Sequence, residues 1–354
     1  MNINEVKLKD FMIFNDLNVK FADGINIISG ENSTGKTALL KVLYSTTKGY
    51  ANALNSKDSV TKNQIELSIV NKFQGVFKPD KNSIGRLVNK NNGNNSANIF
   101  LSFDDNANIE LKFTSSQTKH LKCEANNIGE LYSSSIVYIP PKEIISTTSN
   151  FVSLYDDYDI DIEEVYYDLA RLLERPTKKN NDMTSGYDMK ARLEKILNGQ
   201  IIQKNKTFYL SVKGEGEYEM GLLSEGYRKL ATIVHLIASG SLSENAILFW
   251  DEPETNMNPK LIKPVVDMII ELSRMGVQVF VTTHDYFIQQ CFSMAMNYEN
   301  DNKKLNFKFI SLYKDESNKV RCEAKESLEE LEHNSVMEEF NALYDREQGY
   351  IYGY

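Results

Sequence analysis

The 354 residues combine 41% hydrophobic and 25% charged side chains with a formal net charge of −9, the make-up of a soluble globular protein with room for one large or two ordinary domains. That acidity argues against a stand-alone nucleic-acid binder, though it leaves space for a local basic patch. Cys123, Cys291 and Cys322 stand far apart without a C-x-x-C, which fits neither a disulfide framework nor a zinc site and points to thiols in a reducing cytosol.

The run MNINEVKLKDF has no leader pattern, and no apolar run reaches the ~20 residues of a membrane span. A cytoplasmic location with no membrane partner is therefore expected. Asp23-Gly24 marks a turn, and Ile25 to Ile28 is an apolar run suited to a buried strand. Gly30, Gly35, Lys36 and Thr37 then match G-x-x-x-x-G-K-[ST]. The apolar residues at 39, 40, 43 and 44 follow at helical spacing. Strand, glycine loop and helix is the order in which backbone N–H groups and a helix N-terminus can wrap a phosphate. Lys36 is expected to reach the β- and γ-phosphates and the Thr37 hydroxyl to ligate Mg²⁺.

Residues 60 to 135 alternate strand-like runs, IELSIV (65–70), ANIFLSF (97–103) and NIELKF (108–113), with polar breaks that include NKNNGNNSAN at 89–98. SSIVYIPPKEII (134–145) reads as a strand and a proline-stiffened turn. Residues 150 to 205 read as helical. They are acidic first (Asp156, Asp157, Asp159, Asp161, Glu163, Glu164), then mixed-basic (Arg171, Arg175, Lys178, Lys179, Lys190, Arg192). Such a charge run serves as a solvated helix face or as a basic surface for a partner.

In GLLSEGYRKLATIVHLI (221–237), Ser224 and Gly226 open a helix with apolar residues Leu230, Ile233, Val234 and Ile237. Its N-terminus can offer N–H groups and a hydroxyl to a phosphate, or Ser224 can serve as a plain N-cap. NAILFWDEPE (245–254) is a buried parallel strand, Ala246 to Trp250, closed by Asp251 and Glu252. Asp251 is the expected Mg²⁺ partner and Glu252 the general base. VQVFVTTHDY (277–286) repeats the pattern, a strand from Val277 to Val281 leading to His284, placed to sense the γ-phosphate. His120, His235 and His333 read as structural. The tail reads as a helix, a strand (307–313), a second strand and a final helix from Val336 to Tyr344. Glu323-Ala324-Lys325 mimics a nuclease E-x-K but has no upstream acid in context.

In this order the runs resemble the ATP-binding-cassette ATPases of the SMC, RecF and OLD types. The resemblance makes Gly30 to Thr37 the Walker A motif, Asp251-Glu252 the Walker B pair, His284 the switch histidine and Asn256-Met257-Asn258-Pro259 the D-loop. Leu223-Ser224-Glu225-Gly226 resembles the LSGGQ signature, with Tyr227 where glutamine is usual. No glutamine stands at the Q-loop position, and Lys142 and Glu143 are its polar candidates. The fold class implied is α/β: an ABC-ATPase head with a mixed P-loop sheet, an antiparallel β lobe and a helical lobe, without a long coiled coil. Four segments are expected: 1–149 with Walker A and the β lobe, 150–210 as a helical lobe insertion, 211–290 with signature, Walker B, D-loop and switch histidine, and 291–354 completing the head.

The resemblance implies ATP and Mg²⁺ as cofactors. Lys36, Glu252 and His284 would be catalytic, and Thr37 and Asp251 would hold the metal. The nucleotide would touch Gly30, Asn32, Ser33, Thr34, Gly35, Lys36, Thr37 and Ala38, and across the sandwich Ser224, Glu225 and Gly226 of the partner. A homodimer or higher even oligomer follows, with two ATP molecules held head to tail. The interval from Thr37 to Asp251 lacks heptad arms, and the stretch after His284 is short for a TOPRIM domain. The chain thus looks most like the compact ATPase subunits of anti-phage systems such as PARIS (AriA) and Septu. These control a separately encoded effector, possibilities including a nuclease. The alternative is a RecF-like ATPase clamping DNA, with nucleic acid as the less favoured partner. Docking surfaces expected for an effector are residues 150–205 and the tail tyrosines Tyr344, Tyr350, Tyr352 and Tyr354, which would serve equally as packing on their own domain.

Overall fold

The computed structural model describes residues 1–55, 60–90, 93, 95–128, 135–148, 150–158, 160–178, 191, 194–195, 197–204, 207–298 and 305–352. Strands β1 (Ile3–Phe11) and β2 (Phe14–Lys20) form a hairpin, and β3 (Ile25–Gly30) leads through the glycine loop into α1 (Lys36–Leu54). Helix α2 (Lys62–Phe77) precedes β4 (Ser96–Phe103), β5 (Asn108–Thr114), β6 (Lys122–Asn126) and β7 (Ile136–Ile139). Next come α3 (Phe151–Asp157), α4 (Glu164–Leu173), β8 (Gln200–Lys204), β9 (Thr207–Val212), β10 (Gly216–Glu219) and α5 (Glu225–Ala238). The remainder is β11 (Ile247–Asp251), α6 (Ile262–Arg274), β12 (Gln278–Thr282), α7 (Tyr286–Tyr298), β13 (Phe307–Lys314), β14 (Val320–Lys325) and α8 (Ser335–Tyr352).

The central sheet has the order β14-β13-β3-β12-β11-β7. Its pairs are parallel except β13 with β14. Residues alternate between its two faces, and both faces are covered, which is why these strands are apolar throughout. Leu248, Trp250, Val279 and Val281 enter the core shared with α5 and α6, while Ile247, Phe249 and Phe280 enter the one shared with α1 and the β lobe. That lobe is the five-stranded antiparallel sheet β2-β1-β4-β5-β6. The parallel register aligns Thr282 with both Asp251 and Ile28, so β3, β11 and β12 end at one edge. Mixed sheet, β lobe and helices together form the ATPase-head architecture expected above.

Three local expectations change. IELSIV lies inside α2, because Thr61 and Gln64 make a capping box and Ile69, Val70, Phe73 and Val76 are buried at helical spacing. The helical reading of 150–205 holds for α3 and α4 but yields to strands from Gln200, where β8 to β10 form a three-stranded antiparallel sheet. The last helix runs on to Tyr352. Parts of the asparagine-rich break (91, 92 and 94), together with Asp159, Lys179, Lys190, Arg192 and Tyr354, lie outside the described residues.

Helix α8 is unusual in having no buried residue along its 18 residues. Its first turns touch the head where Phe340 stacks on Tyr286 with centroids 4.4 Å apart. Beyond them Leu343, Tyr344, Tyr350, Ile351 and Tyr352 are exposed.

Candidate active site

The loop after β3 needs its glycines for reasons of space and backbone conformation. A Cβ on Gly30 (φ 142°) would lie 2.1 Å from the Leu312 carbonyl oxygen of β13, and one on Gly35 (φ 94°) would strike Phe14 and Ile13 of the β1–β2 turn. Thr34 is buried and donates to the Glu31 carbonyl at 2.9 Å, whereas Asn32 and Ser33 are exposed and Ala38 is half-buried on the first turn of α1. Lys36 bends back across the loop, its Nζ donating to the carbonyls of Gly30 and Glu31, each at 2.8 Å. Burial pushes its ammonium down to about 8, against the pull of Glu252, Asp251 and Glu254.

Asp251 closes β11 and is buried. Its Oδ1 accepts from Thr37 Oγ1 at 3.1 Å and from Thr282 Oγ1, and its Oδ2 accepts from the Tyr138 hydroxyl at 3.0 Å. Burial raises its pKa, and the three hydroxyl donors work in the opposite direction. Glu252 behaves differently. Its backbone is left-handed (φ 47°), and its Oε1 lies 3.1 Å from His284 Nε2. The hydrogen bond from His284 lowers its pKa, burial works against this, and Thr255 helps by donating to Oε2 at 3.2 Å. The head thus holds two adjacent acids in distinct states: one buried and oriented by hydroxyls, the other half-open and kept ionised.

The structure brings Lys36, Thr37, Asp251, Glu252 and His284 to one edge of the sheet. Two unforeseen residues position them. Glu254 accepts from the Thr283 hydroxyl at 2.7 Å and the His284 amide at 2.9 Å, fixing the turn that carries the imidazole. Tyr138 was hidden in an apolar strand. Among the described residues no cluster of three or more His, Cys, Asp or Glu could hold a metal. Thr37 and Asp251 supply hard oxygens suited to Mg²⁺, which keeps waters and takes phosphate oxygens for the rest of its shell.

Ser224, Glu225 and Gly226 stand apart. Among the described residues no hydrogen bond joins them to the glycine loop. Ser224 caps α5 in extended conformation without spending its hydroxyl on a cap bond, and it is exposed. Behind it α5 is tied to the D-loop segment. Lys229 Nζ donates to the Thr255 carbonyl at 2.7 Å and the Pro253 carbonyl at 3.2 Å, and Asn256 Nδ2 donates to Glu225 at 3.0 Å. A Cβ on Gly226 would meet Leu261 and Met257. Arg228 pairs with Glu143 at 3.1 Å, so the Q-loop candidate Glu143 contacts the signature helix.

Of the other histidines only His235 is buried, its Nε2 3.1 Å from the Arg175 carbonyl oxygen; His333 stacks on Tyr313 but is exposed, as is His120. Glu323 of the E-x-K run accepts from the amides of Glu332 and His333.

Residues 25–288 match the family model described as "AAA domain, putative AbiEii toxin, Type IV TA system". Among curated proteins, an ATP/GTP phosphatase of Helicobacter pylori is 23% identical over 319 residues, covering 80% of this chain and 85% of that protein. The DNA replication and repair protein RecF of Bacillus cytotoxicus is 46% identical over 44 residues, and the match spans only 12% of either chain. Among solved structures, an SMC head bound to the C-terminal winged-helix domain of ScpA superposes with a TM-score of 0.57 at 14% identity, covering 93% of this chain and 98% of that one. A Pyrococcus furiosus SMC head bound to the C-terminal domain of ScpA gives 0.54 at 12% identity, covering 97% and 99%.

Proposed function

The chain belongs to the AAA-domain family whose model it matches, and from that premise we propose that it is an ATPase of the SMC, RecF and ABC type working as a nucleotide-driven switch. In this reading it hydrolyses ATP in the cytoplasm, and its ATP state governs a separately encoded effector in anti-phage defence. The observation that carries the enzymatic part is the pairing of Glu252 with His284 beside an Asp251 already bonded to Thr37.

Lys36 would trade its two loop carbonyls for the β- and γ-phosphate oxygens. Thr37 and Asp251 would hold Mg²⁺, which supplies charge neutralisation at those oxygens when bound. Glu252, ionised and aimed by His284, takes the proton of the attacking water. The unspent Ser224 hydroxyl and the N-terminus of α5 suit the phosphate of a second copy's ATP, giving a head-to-tail dimer. Because α5 is bonded to the D-loop segment, closure of that dimer would be felt at Glu252. A partner preferring one closure state is thereby controlled by ATP; one binding both states equally is not. Residues of α3 and α4 and the tail tyrosines are the proposed docking surfaces.

The test is ATP turnover together with affinity purification of wild type and Lys36→Ala from cells carrying the native locus. Turnover lost in the variant, with a specific co-purifying protein whose occupancy differs between the two, supports the switch. Unchanged turnover would remove the assignment of the loop.

A RecF-like DNA clamp is a second reading, favoured by one feature. Lys9, Asn98, Lys112 and Lys122 align in one row across β1, β4, β5 and β6. With Thr114 and Gln117 they line a concavity of about 450 Å³. ATP-dependent duplex binding with a steep salt slope, and no protein partner, would move the conclusion there.

A further inference from the structure

Strand β7 is four residues long, fully buried, and parallel to β11, with Tyr138 opposite Phe249. Three of its side chains are aliphatic. Tyr138 carries a hydroxyl into this apolar setting, where Phe249 and Phe280 fill similar space without one. Its ring is fixed by Tyr44, edge-on at 5.3 Å between centroids, and by Phe249, stacked at 6.4 Å. A tyrosine hydroxyl buried this way needs an acceptor, and the acceptor is Asp251 Oδ2 at 3.0 Å.

The consequence is geometric. A carboxylate held through one oxygen can still turn about its last torsion. Asp251 is held through both: Thr37 and Thr282 engage Oδ1, and Tyr138 engages Oδ2. Thr37 is itself a candidate metal ligand, so its bond to Oδ1 is the one a cation would replace. Thr282 and Tyr138 would then be left as the two fixed donors, one to each oxygen. We propose that Tyr138 is a positioning residue for the divalent cation, orienting the Asp251 carboxylate so that Oδ1 faces Thr37. This deepens the reading of Asp251 as the metal acid and rests on it. Outer hydrogen bonds of this kind contribute about 10- to 100-fold to metal affinity.

The experiment uses the full chain with a non-hydrolysable ATP analogue and Mn²⁺ as the probe, free Mn²⁺ being read by electron paramagnetic resonance. Tyr138→Phe keeps the ring and removes only the hydroxyl; Tyr138→Met, whose adaptable chain fills the space, carries the same expectation should the Phe variant fail to fold. The expected result is Mn²⁺ affinity lowered about 10-fold, with analogue binding in EDTA unchanged. A merely structural tyrosine would leave the metal titration where it is in the wild type, and that result overturns the proposal. Asp251→Asn, titrated in parallel, separates the two ideas. If it too binds Mn²⁺ normally, the metal-acid reading fails and takes the proposal with it. If only Asp251→Asn is impaired, the proposal alone fails.

Discussion

Glu252 has a backbone conformation that few non-glycine residues adopt, and its carboxylate meets His284 on one oxygen and Thr255 on the other. Replacing it with Gln preserves shape and some of these bonds but removes the proton acceptor. Glu252→Gln is therefore expected to bind Mg·ATP while single-turnover hydrolysis falls by about 10²- to 10⁴-fold, measured by rapid quench alongside filter binding. Loss of binding together with hydrolysis would show that this carboxylate holds the metal instead. At this scale the sequence was informative wherever a residue type is forced by chemistry. Lys36 and Thr37 could be named from the spacing of the glycine loop, and Asp251 and Glu252 from their place at the end of an apolar run. The reason for Gly30 could not, because the carbonyl that excludes a side chain there belongs to Leu312 in a distant strand. Tyr138 was masked in another way: in a run of Ile, Val and Ile its ring reads as core, and only the parallel pairing with β11 shows where its hydroxyl goes.

Among the elements, α5 is the one on which the proposed head-to-tail pairing turns. Ser224→Arg places a long cation at the exposed helix start while leaving the mutant's own loop intact. Mixed with Lys36→Ala under conditions where subunits exchange, it should recover part of the ATPase activity, since a heterodimer keeps one composite site with both residues native. Purely additive loss would count against head-to-tail pairing. Helix α4 is tied to α1 and α2 by a different device. Lys72 of α2 is buried and bonds Glu164 at 2.5 Å and Asp168 at 2.8 Å, and Asp168 also accepts from Tyr44 of α1. Lys72→Met leaves two carboxylates facing each other without their cation. A loss of about 3 kcal/mol is expected, the low end for a broken buried pair because Glu164 is partly exposed. Chemical denaturation measures it, and a change below about 0.5 kcal/mol would mean the acids relax into solvent. The α2 region also shows a limit of pattern reading. IELSIV has the β-branched content of a strand, yet Thr61 and Gln64 three residues apart already carried the helix-start signal. The three-stranded sheet after Gln200 gave less notice, since its first strand is only partly buried and lacks a clean alternation.

For the molecule as a whole, the site exists only once the sheet has formed. Its residues lie on or just after β3, β7, β11 and β12, segments far apart in the chain, whose parallel pairing brings their carboxyl ends to one edge. The order of the motifs and the buried character of each strand were legible. The pairing partner of β3 on its other side, β13, was not, because several strands of similar composition could have taken that place. Control of a partner asks more of this assembly than hydrolysis does. A coupling of about 1–3 kcal/mol between nucleotide and partner shifts affinity roughly 5- to 150-fold, so an effector's affinity for the ATP-trapped Glu252→Gln form should differ from its affinity for the nucleotide-free form by a factor in that range. Equal affinities, measured by calorimetry with the purified pair, would leave the ATPase without a switching role.

Helix α8 makes its own forecast. With no buried residue along its length and its ring contact to the head at Phe340, the outer turns must hold themselves up, and isolated helices of this size are marginal in water. The free energy needed to open them is therefore near zero. Amides beyond Leu343 should exchange with deuterium at nearly the rate of an unfolded peptide, and chymotrypsin should cut at Tyr344 or Tyr350 long before it reaches the sheet. Slow exchange there in the isolated chain would mean that the helix is already covered. A slowing that comes only when another molecule is added would turn the same amides into a footprint, marking where that molecule sits.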